Sequence, residues 1–192
     1  MNRVLIVVDM QNDFIDGALG TPEAVAIVPN VARLINQRNV EGANIIYTRD
    51  THFDETVNDE TSIKDLLLKY EDSLEGQKLP VKHCIENTKG WQIRPEVLIN
   101  LNERVSIWNK YTFGTIDGWD YEYAAILEDA DEIEVVGLCT DTCVVSNALI
   151  LRAKFPDKRI VVYENCTAGV TPETKKAALT TMKMCQIDVE TF

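Results

Sequence analysis

Short, continuously apolar runs alternate with longer amphipathic stretches along most of this chain. Val4-Leu5-Ile6-Val7-Val8 is β-branched and apolar throughout, the pattern of a strand buried on both faces. Comparable runs recur at Ala43 to Thr48, Arg104 to Trp108, Glu132 to Gly137 and Arg159 to Tyr163, and a last strand is expected from Gln186 to Glu190. Helices are predicted between them at Ala26 to Asn39, Trp119 to Glu128, Thr142 to Lys154 and Pro172 to Met184. Thr171 followed by Pro172 reads as an N-cap and a helix-starting proline. This alternation predicts crossover units and an α/β fold, a parallel sheet covered by helices on both faces.

The stretch from Asp50 to Pro95 breaks the rhythm. It is long, polar and punctuated by Gly76, Pro80 and Gly90, with one helix expected near Ser62 to Tyr70. Long excursions inside a compact domain are usually functional loops, so a lid over about 50–95 is expected within one domain spanning 1–192.

Composition narrows the function classes. The 192 residues are 45% hydrophobic and 26% charged, suited to a single core. No apolar run is long enough to span a bilayer, and the N-terminus lacks the apolar segment of a signal peptide. A soluble, cytoplasmic protein without a membrane partner is the expectation. The net charge of −12 argues against a nucleic-acid surface, which needs a basic stripe to neutralise phosphates. Five cysteines, an odd number, suggest free thiols rather than a disulfide framework.

In open α/β sheets, ligands bind beyond the carboxyl ends of the strands. That rule selects Asp9 after the first strand, Asp50 and His52 after the second, Lys110 after the third and Cys143 after the fourth. All five fall on one edge of the expected sheet. Taken singly, each has an ordinary explanation as a cap, a surface charge or a small core residue. Cys84, Cys166 and Cys185 are read as small core residues. Cys143 differs because the start of its helix favours thiolate over thiol. A thiol titrating at about 8.5 needs a cation or base nearby to attack at neutral pH. Lys110 can supply the cation and Asp9 can accept, then return, the proton. A second constellation joins Asp50 and His52, two residues apart on an extended segment, to His83 at the far end of the excursion. One carboxylate and two imidazoles form a reasonable site for zinc, iron or manganese.

Together these segments resemble the isochorismatase-like cysteine hydrolases, and within them the nicotinamidases. The matching pieces are Val7-Val8-Asp9-Met10-Gln11-Asn12-Asp13-Phe14, Thr48-Arg49-Asp50-Thr51-His52 and Leu79-Pro80-Val81-Lys82-His83-Cys84. Lys110-Tyr111-Thr112-Phe113-Gly114 and Gly137-Leu138-Cys139-Thr140-Asp141-Thr142-Cys143-Val144 complete them, in family order. The resemblance implies a three-layer α/β/α sandwich on a six-stranded, mostly parallel sheet. It implies an Asp9, Lys110, Cys143 triad, and a divalent metal, zinc foremost, held by Asp50, His52 and His83 against a pyridine nitrogen. It also implies a cis bond before Cys139, which turns the amides of Cys139 and Cys143 together as an oxyanion hole.

The implied reaction converts nicotinamide, a small-molecule amide, to nicotinate and ammonia through a thioester on Cys143. Phe14 matches a ring-packing aromatic, and the resemblance implies a homo-oligomer. Leu79 stands where nicotinamidases often carry a ring-stacking tryptophan, leaving Trp91, Phe113 and Trp119 to compensate. Other readings are a related hydrolase of another small amide or ureido compound, and a non-enzymatic thiol or metal sensor on the same fold.

Overall fold

The computed structural model describes residues 1–57 and 68–192, so most of the helix expected near Ser62 to Tyr70 lies outside the described residues. Six strands form one sheet in the order β3-β2-β1-β4-β5-β6, every neighbouring pair parallel. They are β1 (Arg3–Val8), β2 (Asn44–Asp50), β3 (Val105–Lys110), β4 (Glu132–Leu138), β5 (Arg159–Ala168) and β6 (Asp188–Glu190). The chain runs outward from β1 through β2 to β3, then returns to lay β4 against the other side of β1. The direction of winding therefore reverses between β1 and β4, where an open sheet forms a crevice at its carboxyl edge.

Side-chain alternation along the strands fills two cores. Leu5 and Val7 of β1, with Val136 and Leu138 of β4, face Ile27, Val31, Leu34 and Ile35 of α2 (Pro22–Val40). Val4, Ile6 and Val8, with Ile133 and Val135, face the opposite layer. That layer comprises α4 (Ala124–Asp129), α5 (Val145–Lys154) and α6 (Pro172–Met184). Both faces are apolar because both are covered, which is why the strands read as continuous runs. Two short helices, α1 (Asn12–Ile15) and α3 (Leu74–Lys78), complete the set, and sequence periodicity gave no sign of either.

α6 has the expected bounds, with Thr171 accepting from the Thr174 amide and Pro172 in the first turn. α2 begins earlier than expected, because Thr21 accepts from the Ala24 amide and caps the helix at Pro22. β5 outruns the apolar stretch that predicts it. Its pairing with β4 shifts between Val135 and Gly137, and after Glu164 and Asn165 it resumes with buried Cys166, Thr167 and Ala168. One cysteine departs from expectation. Cys84 and Cys166 are buried, but Cys185 is exposed, because the apolar face of α6 ends at Met182 and Cys185 follows the last turn. All five thiols are free. Among the described residues, no helix is long and apolar enough to cross a membrane.

Candidate active site

The winding reversal brings Asp9 and Cys143 together. Asp9 follows β1 directly, with φ of 46°, a left-handed conformation that aspartate tolerates better than most residues. Thr48 Oγ1 donates to Asp9 Oδ1 at 2.7 Å and fixes the carboxylate. Cys143 lies in a single π-type turn (Thr140–Val144) between β4 and α5. The Leu138–Cys139 peptide that opens this turn is cis. Gly137, with φ of 113°, sits so close to β1 that a Cβ would stand 2.0 Å from the Val8 carbonyl oxygen.

Lys110 reaches this pair from β3 and is buried. Its Nζ lies 2.8 Å from Asp9 Oδ2, 3.4 Å from Cys143 Sγ and 3.1 Å from the Thr112 carbonyl oxygen. Burial works against its charge, but Asp50, Asp9 and Cys143 outweigh burial and hold the ammonium well above its ordinary range. The carboxyl of Asp9 is raised, first by burial and then by Asp50, against the opposing pull of Lys110.

The thiol of Cys143 is subject to opposing influences. Burial, the largest influence, pushes it well above the ordinary thiol range; Lys110 opposes the shift, and Asp9 and Asp50 add to it. The ammonium of Lys110, 3.4 Å from the sulfur, is the cation placed to offset that burial.

The second constellation adjoins the first. Asp50 ends β2 in register with Lys110, and the Lys110 ammonium lies 3.0 Å from Asp50 Oδ1. Asp50 Oδ2 faces His52 Nε2 at 3.1 Å and His83 Nε2 at 3.8 Å. His83 Nδ1 lies 2.8 Å from the Val81 carbonyl oxygen, a donor's place that leaves Nε2 to face the cluster. Gln11 clamps the Asp50 backbone, with Oε1 accepting from its N–H at 2.7 Å and Nε2 donating to its C=O at 2.8 Å.

Glu75 of α3 joins these three, its Oε1 3.5 Å from His83 Nε2 and 3.8 Å from His52 Nε2. The ligand atoms of Asp50, His52, Glu75 and His83 all lie within 4.8 Å of one another. Two imidazoles and two carboxylates, mostly buried and converging, form a mixed nitrogen and oxygen donor set that fits zinc, iron or manganese. Glu75 carries no spacing signal, being one of 31 acidic residues in the chain and lying on a long polar excursion.

A cavity of about 710 Å³ opens onto both constellations. Phe14 lines it, its ring centroid 5.4 Å from that of His83. Tyr70 was not anticipated: its ring packs edge-on to His52 and His83, and its hydroxyl donates to the Leu79 carbonyl at 2.6 Å. Leu79, Phe113 and Cys139 also line the cavity. Trp91 and Trp119 are engaged elsewhere. Trp91 Nε1 donates to Thr51 Oγ1 beneath the Arg49 guanidinium, and Trp119 packs in the layer of α4.

Asn147, one helical turn beyond Cys143, is buried behind the site. Its Nδ2 donates to the carbonyls of Cys143 (2.8 Å) and Phe113 (3.1 Å), and its Oδ1 accepts from the Thr115 amide and Trp119 Nε1. It thus ties the turn that carries Cys143 to the loop that carries the Thr112 carbonyl. The four-residue spacing from Cys143 is the one sequence signal that marks it.

With this geometry in place, comparison with known proteins assigns the class. The chain belongs to the isochorismatase family, whose Isochorismatase domain model matches residues 3–191. The nicotinamidase/pyrazinamidase of Mycobacterium tuberculosis is 29% identical over 97% of both chains. The crystal structure of a pyrazinamidase of Pyrococcus horikoshii in complex with zinc is 27% identical, covers both chains fully and superposes with a TM-score of 0.73. A nicotinamidase/pyrazinamidase of Bacillus subtilis, at 24% identity, shares the fold with a TM-score of 0.76 over 99% of this chain and 100% of its own.

Proposed function

We propose that this chain hydrolyses nicotinamide to nicotinate and ammonia through a thioester on Cys143. The observation that carries the reading is Lys110, whose ammonium touches Cys143, Asp9 and Asp50 and so joins a nucleophile, a proton acceptor and a metal-ligating carboxylate. Cys143 Sγ attacks the carboxamide carbon while its proton passes to Asp9, and the backbone amides of Cys139 and Cys143 receive the developing oxyanion. Asp9 returns the proton to nitrogen as the C–N bond breaks, releasing ammonia. Water then loses a proton to Asp9 and attacks the thioester. The C–S bond breaks, the acid departs, and Asp9 reprotonates the sulfur. Lys110 holds thiol and carboxylate in place throughout. A divalent ion held by Asp50, His52 and His83, with Glu75 as fourth donor, would supply a Lewis-acid anchor for the pyridine nitrogen.

Ammonia release from nicotinamide by purified protein, with and without a chelator, tests the proposal. Turnover that the chelator suppresses and added zinc, iron or manganese restores is expected. No ammonia from nicotinamide, with thiol-dependent cleavage of another small amide or ureido compound, would keep the triad and overturn the substrate.

A further inference from the structure

The cavity is larger than its proposed substrate requires. About 710 Å³ lies within the range that drug-sized ligands fill, whereas nicotinamide is one small ring with one carboxamide. The proposed reacting and ligating side chains lie at its floor, where Cys143, Asp50 and His83 are nearly inaccessible, while Lys78 and Thr112 line it nearer solvent. The walls toward solvent carry Leu74, Leu79, Tyr111, Phe113 and Val170, between 37% and 67% exposed. Apolar side chains grouped around a cavity mouth mark a binding surface rather than scattered exposure.

The direction of that surface follows from the two anchors of the proposed function, on which this inference rests. With the ring nitrogen toward the Asp50–His52–His83 cluster and the carboxamide at Cys143, the ring carbon meta to both points away from the floor and out toward the mouth. We propose that the site is built for pyridine carboxamides bearing an apolar substituent at that carbon, and that Leu74, Leu79 and Val170 select for it. Burying a phenyl-sized group against such walls corresponds to roughly a tenfold to hundredfold gain in kcat/KM.

The test compares nicotinamide with 5-phenylnicotinamide on the metal-loaded enzyme, followed by Leu74→Asp and Leu79→Asp. The expected result is at least a tenfold higher kcat/KM for the phenyl compound, with that preference falling at least fivefold in either variant. Turnover of nicotinamide with equal or poorer turnover of 5-phenylnicotinamide overturns this inference alone. Absence of turnover with both amides overturns the proposed function and this inference with it. A preference for the phenyl compound that survives both substitutions removes these walls as its cause and overturns the assignment.

Discussion

Lys110 Nζ lies 3.0 Å from Asp50 Oδ1, so a single buried ammonium links the sulfur of Cys143 to a carboxylate of the cluster proposed to hold a metal. The contact follows from sheet register, because Asp50 and Lys110 are paired residues at the ends of β2 and β3. Two clusters that look separate in sequence are therefore one electrostatic unit.

The link predicts that Lys110 and Asp50 variants fail differently. Lys110→Met removes the cation beside sulfur and a positive charge that competes with a bound ion. Turnover is expected to fall by about two to three orders of magnitude with metal affinity undiminished. Asp50→Asn is expected to lose both metal and turnover. Metal content by mass spectrometry, read beside ammonia release, separates the two. Metal loss in Lys110→Met equal to that in Asp50→Asn would contradict the linkage.

Glu75 is expected to contribute directly to metal affinity. Its Oε1 completes the four-donor cluster from a helix one turn long. Glu75→Ala should weaken metal binding about 10- to 100-fold, by analogy with the loss of a supporting ligand. Competition against a chromogenic chelator measures it. Affinity equal to that of the unaltered protein would leave Glu75 as a bystander.

Asn147 acts through its neighbours, since its amide holds the Cys143 carbonyl and the loop beyond Lys110 without facing the cavity. Asn147→Ala is expected to lower kcat about tenfold or more with little change in KM, because small misplacements of reacting groups are costly. Asn147→Asp retains the acceptor toward Thr115 and Trp119 but loses the donors, so it should fall between the two. A change in KM alone would point to substrate binding instead.

Stability at the opposite edge rests on a buried ion pair. Arg38 donates to both oxygens of Glu134 at 2.6 Å, and Tyr163 donates to one of them at 2.7 Å. Glu134→Ala strands the Arg38 guanidinium and is expected to cost about 3–5 kcal/mol, measured by denaturant unfolding. Arg38→Met combined with Glu134→Leu should recover most of that loss. Equal destabilisation by the single and double changes would show that shape, not the unpaired charge, sets the cost.

The strand pattern and the strand-end rule were enough to place Asp9, Asp50, His52, Lys110 and Cys143 at one sheet edge, because apolar runs mark strands and strands end at ligand sites. Residues on the 50–95 excursion were less legible. His83 was marked by the Leu79-Pro80-Val81-Lys82-His83-Cys84 segment of the resemblance rather than by any period, and neither Glu75 nor Tyr70 carries a period or spacing that separates it from surface residues. The bulge in β5 and the early start of α2 depended on pairing and capping that periodicity does not register. The electrostatic surroundings of Cys143 were only partly legible for a related reason. A helix terminus is visible in sequence, whereas the burial and the two carboxylates that oppose it exist only once the sheet has formed.

The most direct test is mass analysis of protein quenched with acid during turnover of nicotinamide. A nicotinoyl thioester confined to the peptide that carries Cys143, and absent in both Cys143→Ala and Asp9→Asn, is the predicted result. Ammonia release at an undiminished rate by Cys143→Ala, with no acyl adduct on the unaltered protein, would contradict the account.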